Sequence, residues 1–198
     1  NADPEVGGLE VSPLQRPPIA PGPRTKRAVA PISAHTTGVN AMTLGCHMIL
    51  KPRDESLLLR QPGDARRVAR IVLEIGRAFD LRAFSVADNH LHLDNAGGRS
   101  STTEFGRRLK LSLGTHLEIA AGFGSSFIEP YANARHQRNA FAYVLRQREH
   151  HGLLLDPLRE ASNLLDLLGL RPLGAYTAAH VRRSFPRLRR EQLLTHLG

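Results

Sequence analysis

The chain has no tryptophan, one cysteine, two methionines and only three lysines (Lys26, Lys51 and Lys110) among its 27 basic residues. Each scarcity excludes something. Without tryptophan, and with 5% aromatic residues, a core must be built from Leu, Val, Ala and Ile. The single Cys46 cannot close an intrachain disulfide, which points to a reducing cytoplasm. Burial as a small apolar residue is the expected role of that thiol. No run reaches the roughly 18 apolar residues of a membrane helix, so no membrane contact is expected. The N-terminal charges are not followed by the apolar stretch of a secretory signal. The sequence opens on Asn1 rather than Met, as a truncated or processed chain would.

What is present is arginine. The chain of 198 residues carries a formal net charge of +9. Guanidinium groups bind phosphate bidentately and stack on bases, so the excess favours a nucleic-acid partner. A GC-rich genome also raises arginine over lysine, and composition alone leaves that alternative open. Beyond residue 130 there are eleven arginines against five acids, with the densest cluster at Arg182, Arg183, Arg187, Arg189 and Arg190.

Residues 1–36 hold seven of the thirteen prolines and show no hydrophobic period. Such a segment buries too little to offset its ordering entropy and is expected to be a disordered, Pro-rich tail. The texture changes at about residue 40. Met42 to Leu50 reads as a strand. Asp64 is placed to cap a helix whose Val68, Ile71, Val72, Ile75 and Phe79 repeat at helical spacing. Leu81 to Ala87 alternates as a strand, Asp88-Asn89 is a turn pair, and His90 to Asn95 is a second strand. Ser100, Ser101 or Thr102 is expected to cap a helix running to about Leu117. Phe123 to Ile128 is a weaker strand, and the longest helix is predicted from about Ala132 to His151. This order predicts an α+β domain over residues 40–155, an antiparallel sheet covered by helices. A basic helical extension over 156–198 follows.

Two short motifs carry chemistry. In Asn89-His90-Leu91-His92-Leu93, strand alternation sends His90 and His92 to one face and Leu91 and Leu93 to the core. Two imidazoles side by side make half of a metal site; on their own they are equally two surface histidines. On the predicted long helix, Tyr143 and Gln147 stand four residues apart on one face, with His136, Asn139 and His150 continuing it. Asp94 shares the face of the histidine pair. A hydrolase or phosphodiesterase using Asp94 or Asp88 as carboxylate ligand therefore remains an alternative.

Together these residues resemble the single-tyrosine HUH transposases, the insertion-sequence-200-like enzymes and the REP-associated tyrosine transposases. His90-Leu91-His92 matches the family's His-hydrophobic-His strand, and Tyr143 follows His92 by 51 positions. Met42-Thr43-Leu44 and Leu57-Leu58-Leu59-Arg60 look like its opening strand and turn. Ala87-Asp88-Asn89 before the motif and Arg148-Glu149-His150-His151 after the tyrosine differ from the family's usual segments. The resemblance spans roughly residues 40 to 155. It implies a ferredoxin-like sheet of the HUH endonuclease type.

The resemblance also implies a function. Tyr143 would be the nucleophile, and His90, His92 and Gln147 would hold a divalent metal, Mg or Mn. The reaction would cleave and rejoin single-stranded or hairpin DNA through a 5′-phosphotyrosine. Arg107, Arg108 and Lys110 on one helix and Arg135, Arg138, Arg146 and Arg148 on another are the candidate DNA contacts. The oligomeric state, monomer or homodimer, stays open. A catalytically silent DNA-binding descendant of such an enzyme is the second alternative.

Overall fold

The computed structural model describes residues 44–87, 89–152 and 161–195, the side chain of Arg148 excepted. The Pro-rich segment 1–36, Met42-Thr43 of the opening strand, Asp88 and the 155/156 boundary lie outside these residues. The described residues fall within one unit, Asn40–Gly198.

Four strands form the sheet: β1 (Cys46–Leu50), β2 (Leu81–Ala87), β3 (His90–Asn95) and β4 (Phe127–Pro130). Their order is β2-β3-β1-β4 and every neighbour is antiparallel. Helix α1 (Asp64–Gly76) links β1 to β2, and α2 (Arg99–His116) links β3 to β4. This β-α-β-β-α-β order with an antiparallel sheet is the ferredoxin-like arrangement, and the α+β expectation holds. The β2–β3 hairpin is closed by Ala87 pairing with His90, as the turn pair at Asp88-Asn89 requires.

The alternation of β3 divides the molecule. Leu91 and Leu93, with Met48, Leu50, Phe84 and Val86, pack against Val68 and Val72 of α1 and Phe105, Leu109 and Leu113 of α2. Apolar residues at i, i+3, i+4 and i+7 on α1 and at i, i+4 and i+8 on α2 make this the main core.

The other sheet face carries His47, Ile49, His90, His92 and Asp94. Helix α3 (Ala134–Leu145) and the C-terminal helices α5 (Leu164–Leu167), α6 (Ala175–Ser184) and α7 (Arg190–Leu194) lie on that side. Their smaller apolar cluster includes Ala83, Phe141, Val144, Leu164, Val181 and Phe185. Residues 161–163 run along the open edge of β2. Val86 N–H donates to Ala161 O at 3.0 Å, and Phe84 N–H donates to Asn163 Oδ1 at 2.9 Å. The edge strand's unpaired backbone groups are thus satisfied.

Several local expectations are corrected. Asp64 is the first residue of α1, and Gly63 occupies the cap position. The Asp64 carboxylate instead accepts from the backbone N–H groups of Arg60 and Gln61. Gly98, not a Ser or Thr, precedes α2, and Thr102 Oγ1 donates back to Gly98 O. The fourth strand begins later than predicted, since Phe123 makes only an isolated bridge to Pro52.

The predicted long helix is broken at Arg146, whose φ of −98° and ψ of 15° leave the helical basin. The cause is local. Gln147 Nε2 donates to Tyr143 O at 2.8 Å, taking the carbonyl that the Gln147 backbone N–H would use in a continuous helix. A separate turn, α4 (Gln147–His150), follows.

One glycine is required where β1 begins. Gly45 has φ +104°, and a Cβ there would lie 2.6 Å from Arg82 Nη2 and collide with Asn95 O. Gly45→Ala is expected to cost more than about 1 kcal/mol, read as a lowered urea midpoint. An unchanged midpoint would mean that this entry turn relaxes freely.

Candidate functional site

The face of the sheet beneath α3 is polar, and its side chains converge. Ile49 pairs with His92 and His47 with Asp94 in the β1–β3 register, so His47 and His92 are diagonal neighbours on that face. Their rings stack, with centroids 5.3 Å apart and planes 8° from parallel, and His47 Nε2 lies 3.1 Å from His92 Nδ1. His90 lies edge-on to His92 at 4.6 Å. Tyr143, projecting down from α3, meets both His92 (5.4 Å) and His47 (5.9 Å) nearly at right angles. The sequence therefore predicted correctly that His90 and His92 share a face. That face is covered rather than open, and Tyr143 reaches it.

The break at Arg146 adds a residue that sequence reasoning missed. It re-aims the chain so that the His151 ring sits 5.0 Å from His90. The ligand nitrogens of His90, His92 and His151 all lie within 4.8 Å of one another, a group that could hold a metal ion. His150 lies on the other side, 5.4 Å from the Tyr143 ring. His151 had no signal in the spacing, because its approach depends on a helix end that periodicity extends straight through. His47 was missed because one histidine on a short apolar strand reads as ordinary core.

Two unpaired atoms indicate what the site can accept. Among the described residues, the Nε2 of His92 (1% exposed) and the Oε1 of the buried Gln147 have no hydrogen-bond partner. Buried polar atoms without partners are costly, and an ion or an ordered water is one way to satisfy them. The His92 tautomer that leaves a lone pair on Nε2 carries its proton on Nδ1, which then donates to His47 Nε2. His90 is oriented similarly: its Nδ1–H donates to Asn89 Oδ1 at 2.9 Å, leaving the lone pair on Nε2. These donors fit a divalent ion.

Burial, reinforced by the neighbouring histidines, pushes the His92 imidazole down to about 2, and burial lowers His47 as well. Burial thus favours the neutral His92 imidazole, the form that ligation requires. The consequence for stability has a definite sign. Unfolding restores the ordinary value near 6.5, so below that pH the unfolded chain binds more protons than the folded one. The contribution of His92 is complete above pH 6.5 and is lost as pH falls from 6.5 toward about 2. Metal-free protein is expected to melt at a lower temperature at pH 5 than at pH 7.5, with a shallower dependence in His92→Asn. Equal slopes in the two proteins would contradict the assignment.

Asp94 shares the face but is committed elsewhere. Its Oδ1 accepts from Arg82 Nη2 and from Tyr131 Oη, both at 2.6 Å, and it is absent from the three-histidine group. Burial pushes its carboxyl up against the pull of Arg82. Its Oδ2 has no partner among the described residues, but it stands outside the group that could hold an ion, which favours the histidines over the carboxylate-ligand alternative; Asp88 lies outside the described residues.

The proposed DNA contacts divide between the faces. Arg135, Arg138 and Arg146 are exposed on or just beyond α3, above the site. Arg146 lines a cavity of about 590 Å³ with Asn139, Tyr143 and His150. It also lines a larger cavity of about 770 Å³, floored by Phe141 and Phe185 and rimmed by Arg138 and Arg187. Arg107, Arg108 and Lys110 belong to α2 on the opposite face of the sheet. There Arg107 and Arg108 pair with Glu104, and Lys110 donates to Gly124 O. His136, in the first turn of α3, lies edge-on to Tyr131 and near enough to His47 to help lower its pKa.

No protein-family model matches the chain, and neither does any curated protein. A solved structure does. The chain is similar to a REP-associated tyrosine transposase bound to a REP hairpin, with a TM-score of 0.48 and 15% identity. The match covers 71% of this chain and 90% of that one. At that distance it is a likeness, and the chemistry of the site follows from this chain's own side chains. Among the described residues no helix is long and apolar enough to cross a membrane.

Proposed function

We propose that this chain is a metal-dependent DNA strand transferase, cutting and rejoining single-stranded or hairpin DNA with Tyr143 as nucleophile. The observation that carries the reading is the convergence of a solvent-reachable phenol (38% exposed) with a buried imidazole whose Nε2 has no partner. A tyrosine held edge-on to two neutral histidines has no evident structural purpose on a sheet face this polar. It is well placed to attack something held between them.

His90 and His92 with Gln147 Oε1 or His151 would hold the ion. When bound, a divalent metal polarises a scissile phosphate and offsets charge developing on its oxygens. The protein's own contribution is positional. Rigid strand β3 fixes two imidazoles, His47 and Asn89 set their tautomers, and α3 suspends Tyr143 above them. The Tyr143 oxygen attacks phosphorus, the bond from phosphorus to the 3′ oxygen breaks, and the chain retains a 5′-phosphotyrosine. The phenol proton leaves to solvent and the departing 3′ oxygen takes one up. One phosphodiester replaces another, so a later 3′-hydroxyl reverses the step without a nucleotide cofactor. Arg138, Arg146 and Arg187 supply the cationic surface beside the phenol over which a strand would run.

The test is covalent capture. The protein is incubated with 5′- and 3′-labelled hairpin and unpaired oligonucleotides and Mn²⁺, then denatured and resolved by electrophoresis. A denaturation-resistant adduct carrying the label 3′ of the cut is expected. Binding without an adduct would instead identify a catalytically silent DNA-binding protein. Cleavage without an adduct would identify a phosphodiesterase that bypasses the tyrosine.

A further inference from the structure

The donor set at the metal site is unusual for the hard ions first expected there. Its members are three imidazoles, His90, His92 and His151, with their ligand nitrogens within 4.8 Å of one another. Gln147, four residues before His151, adds a buried carboxamide oxygen that has no partner among the described residues. No carboxylate joins the group among the described residues, and Asp94 is held by Arg82 and Tyr131. Magnesium prefers oxygen, usually with at least one carboxylate, and dehydrates reluctantly. Imidazole nitrogen favours the later first-row ions.

Resting on the strand-transferase reading for the site's purpose, but not for its ligands, we propose that His151 is a metal ligand. The centre it completes is an imidazole-dominated one that takes a nitrogen-preferring divalent transition ion, Zn²⁺ or Co²⁺, in preference to Mg²⁺. Three further features support it. First, two nitrogens bound to one ion lie at most about 4.2 Å apart, so the cluster is within a side-chain adjustment of chelation. His151 is its exposed member, on the turn after the broken helix, and can make that adjustment. Second, His90 and His92 each have Nδ1 engaged, by Asn89 and by His47. This is the outer-shell pattern that fixes ligating imidazoles with Nε2 forward. Third, the Arg146 break that delivers His151 is produced by Gln147, whose Nε2 is tied to Tyr143 O while Oε1 stays unpaired. One residue thereby shapes the turn and presents a further oxygen.

The full chain, stripped of metal, is titrated with Co²⁺ alone and followed by its visible absorption, with Zn²⁺ and Mg²⁺ competing for the same site. One equivalent of Co²⁺ is expected to bind, displaced by Zn²⁺ and not by millimolar Mg²⁺. His151→Ala should weaken Co²⁺ at least about tenfold and change the spectrum, whereas His116→Ala, on exposed α2, should do neither. His151→Asp should narrow the preference for Co²⁺ over Mg²⁺ by replacing nitrogen with a hard oxygen. Thermal melting checks that the variants fold. Co²⁺ binding unchanged in His151→Ala, or Mg²⁺ displacing Co²⁺ at comparable concentration, overturns the proposal. Its failure is separable from that of the strand-transferase reading. An adduct formed with Mg²⁺ in His151→Ala defeats the ligand assignment alone. A His151-dependent Co²⁺ site with no adduct under any metal defeats only the nuclease.

Discussion

Tyr143→Phe is expected to abolish covalent capture of DNA, by roughly 10⁴-fold or more, the scale seen when a nucleophile is removed outright. The substitution deletes one oxygen and keeps the ring that packs edge-on against His47 and His92. Because Tyr143 is partly exposed, its stability effect should stay within about 0.5 kcal/mol. DNA binding, assigned under the proposed function to arginines around the cavity, should change little. A gel-shift at constant salt together with the adduct assay separates the two quantities. His92→Ala should also lose the adduct while leaving the phenol in place, since it removes the buried Nε2. Full adduct formation by Tyr143→Phe would exclude this phenol as nucleophile and turn attention to the remaining hydroxyls.

The second large effect concerns stability. Arg82 is 1% exposed and Asp94 0%. Arg82 donates to Asp94 Oδ1, Asn95 O, Leu44 O and Ser184 Oγ. It thereby joins β2 to β3, to the entry of β1 and to the end of α6. Tyr131, just after β4, donates to the same carboxylate oxygen. Replacing Arg82 by Leu leaves Asp94 buried without its counter-charge and should destabilise the fold by about 3–5 kcal/mol. The measurement is urea unfolding followed by circular dichroism. Arg82→Leu combined with Asp94→Leu should recover much of that loss, because a well-packed apolar pair often costs less than a widowed charge. If the double variant is as unstable as the sum of the singles, the pair is not coupled as described. The same network holds Asp94 Oδ1, while the carboxylate shares a face with His92.

The larger cavity, which shares Ala142 and Arg146 with the one that Tyr143 lines, joins α3 to the C-terminal helices. Phe141 and Phe185 meet at its floor with centroids 4.8 Å apart. The arginine-rich C-terminal end thus contributes Arg187 to the surface near the phenol. Charge counting along the sequence locates this excess without locating its target. Conversely, Arg107 and Arg108 look like a basic patch in sequence. In the fold they share Glu104 on the face of the sheet away from the histidines.

The sequence by itself determined the elements and the pairing of His90 with His92. Period-two alternation in Leu81–Ala87 and His90–Asn95, helical spacing of Val68, Ile71 and Val72, and a two-residue turn are local signals, and local sterics enforce them. The same alternation decided that both histidines leave the sheet on one side. Only the tertiary structure decided what waits on that side. His47 comes from a strand paired with β3, and Tyr143 from a helix laid across the sheet. His151 comes from a turn redirected by the Gln147 side chain taking a backbone carbonyl. Each of these is a non-local contact or a competition between side chain and backbone for one acceptor, and neither leaves a period in the sequence.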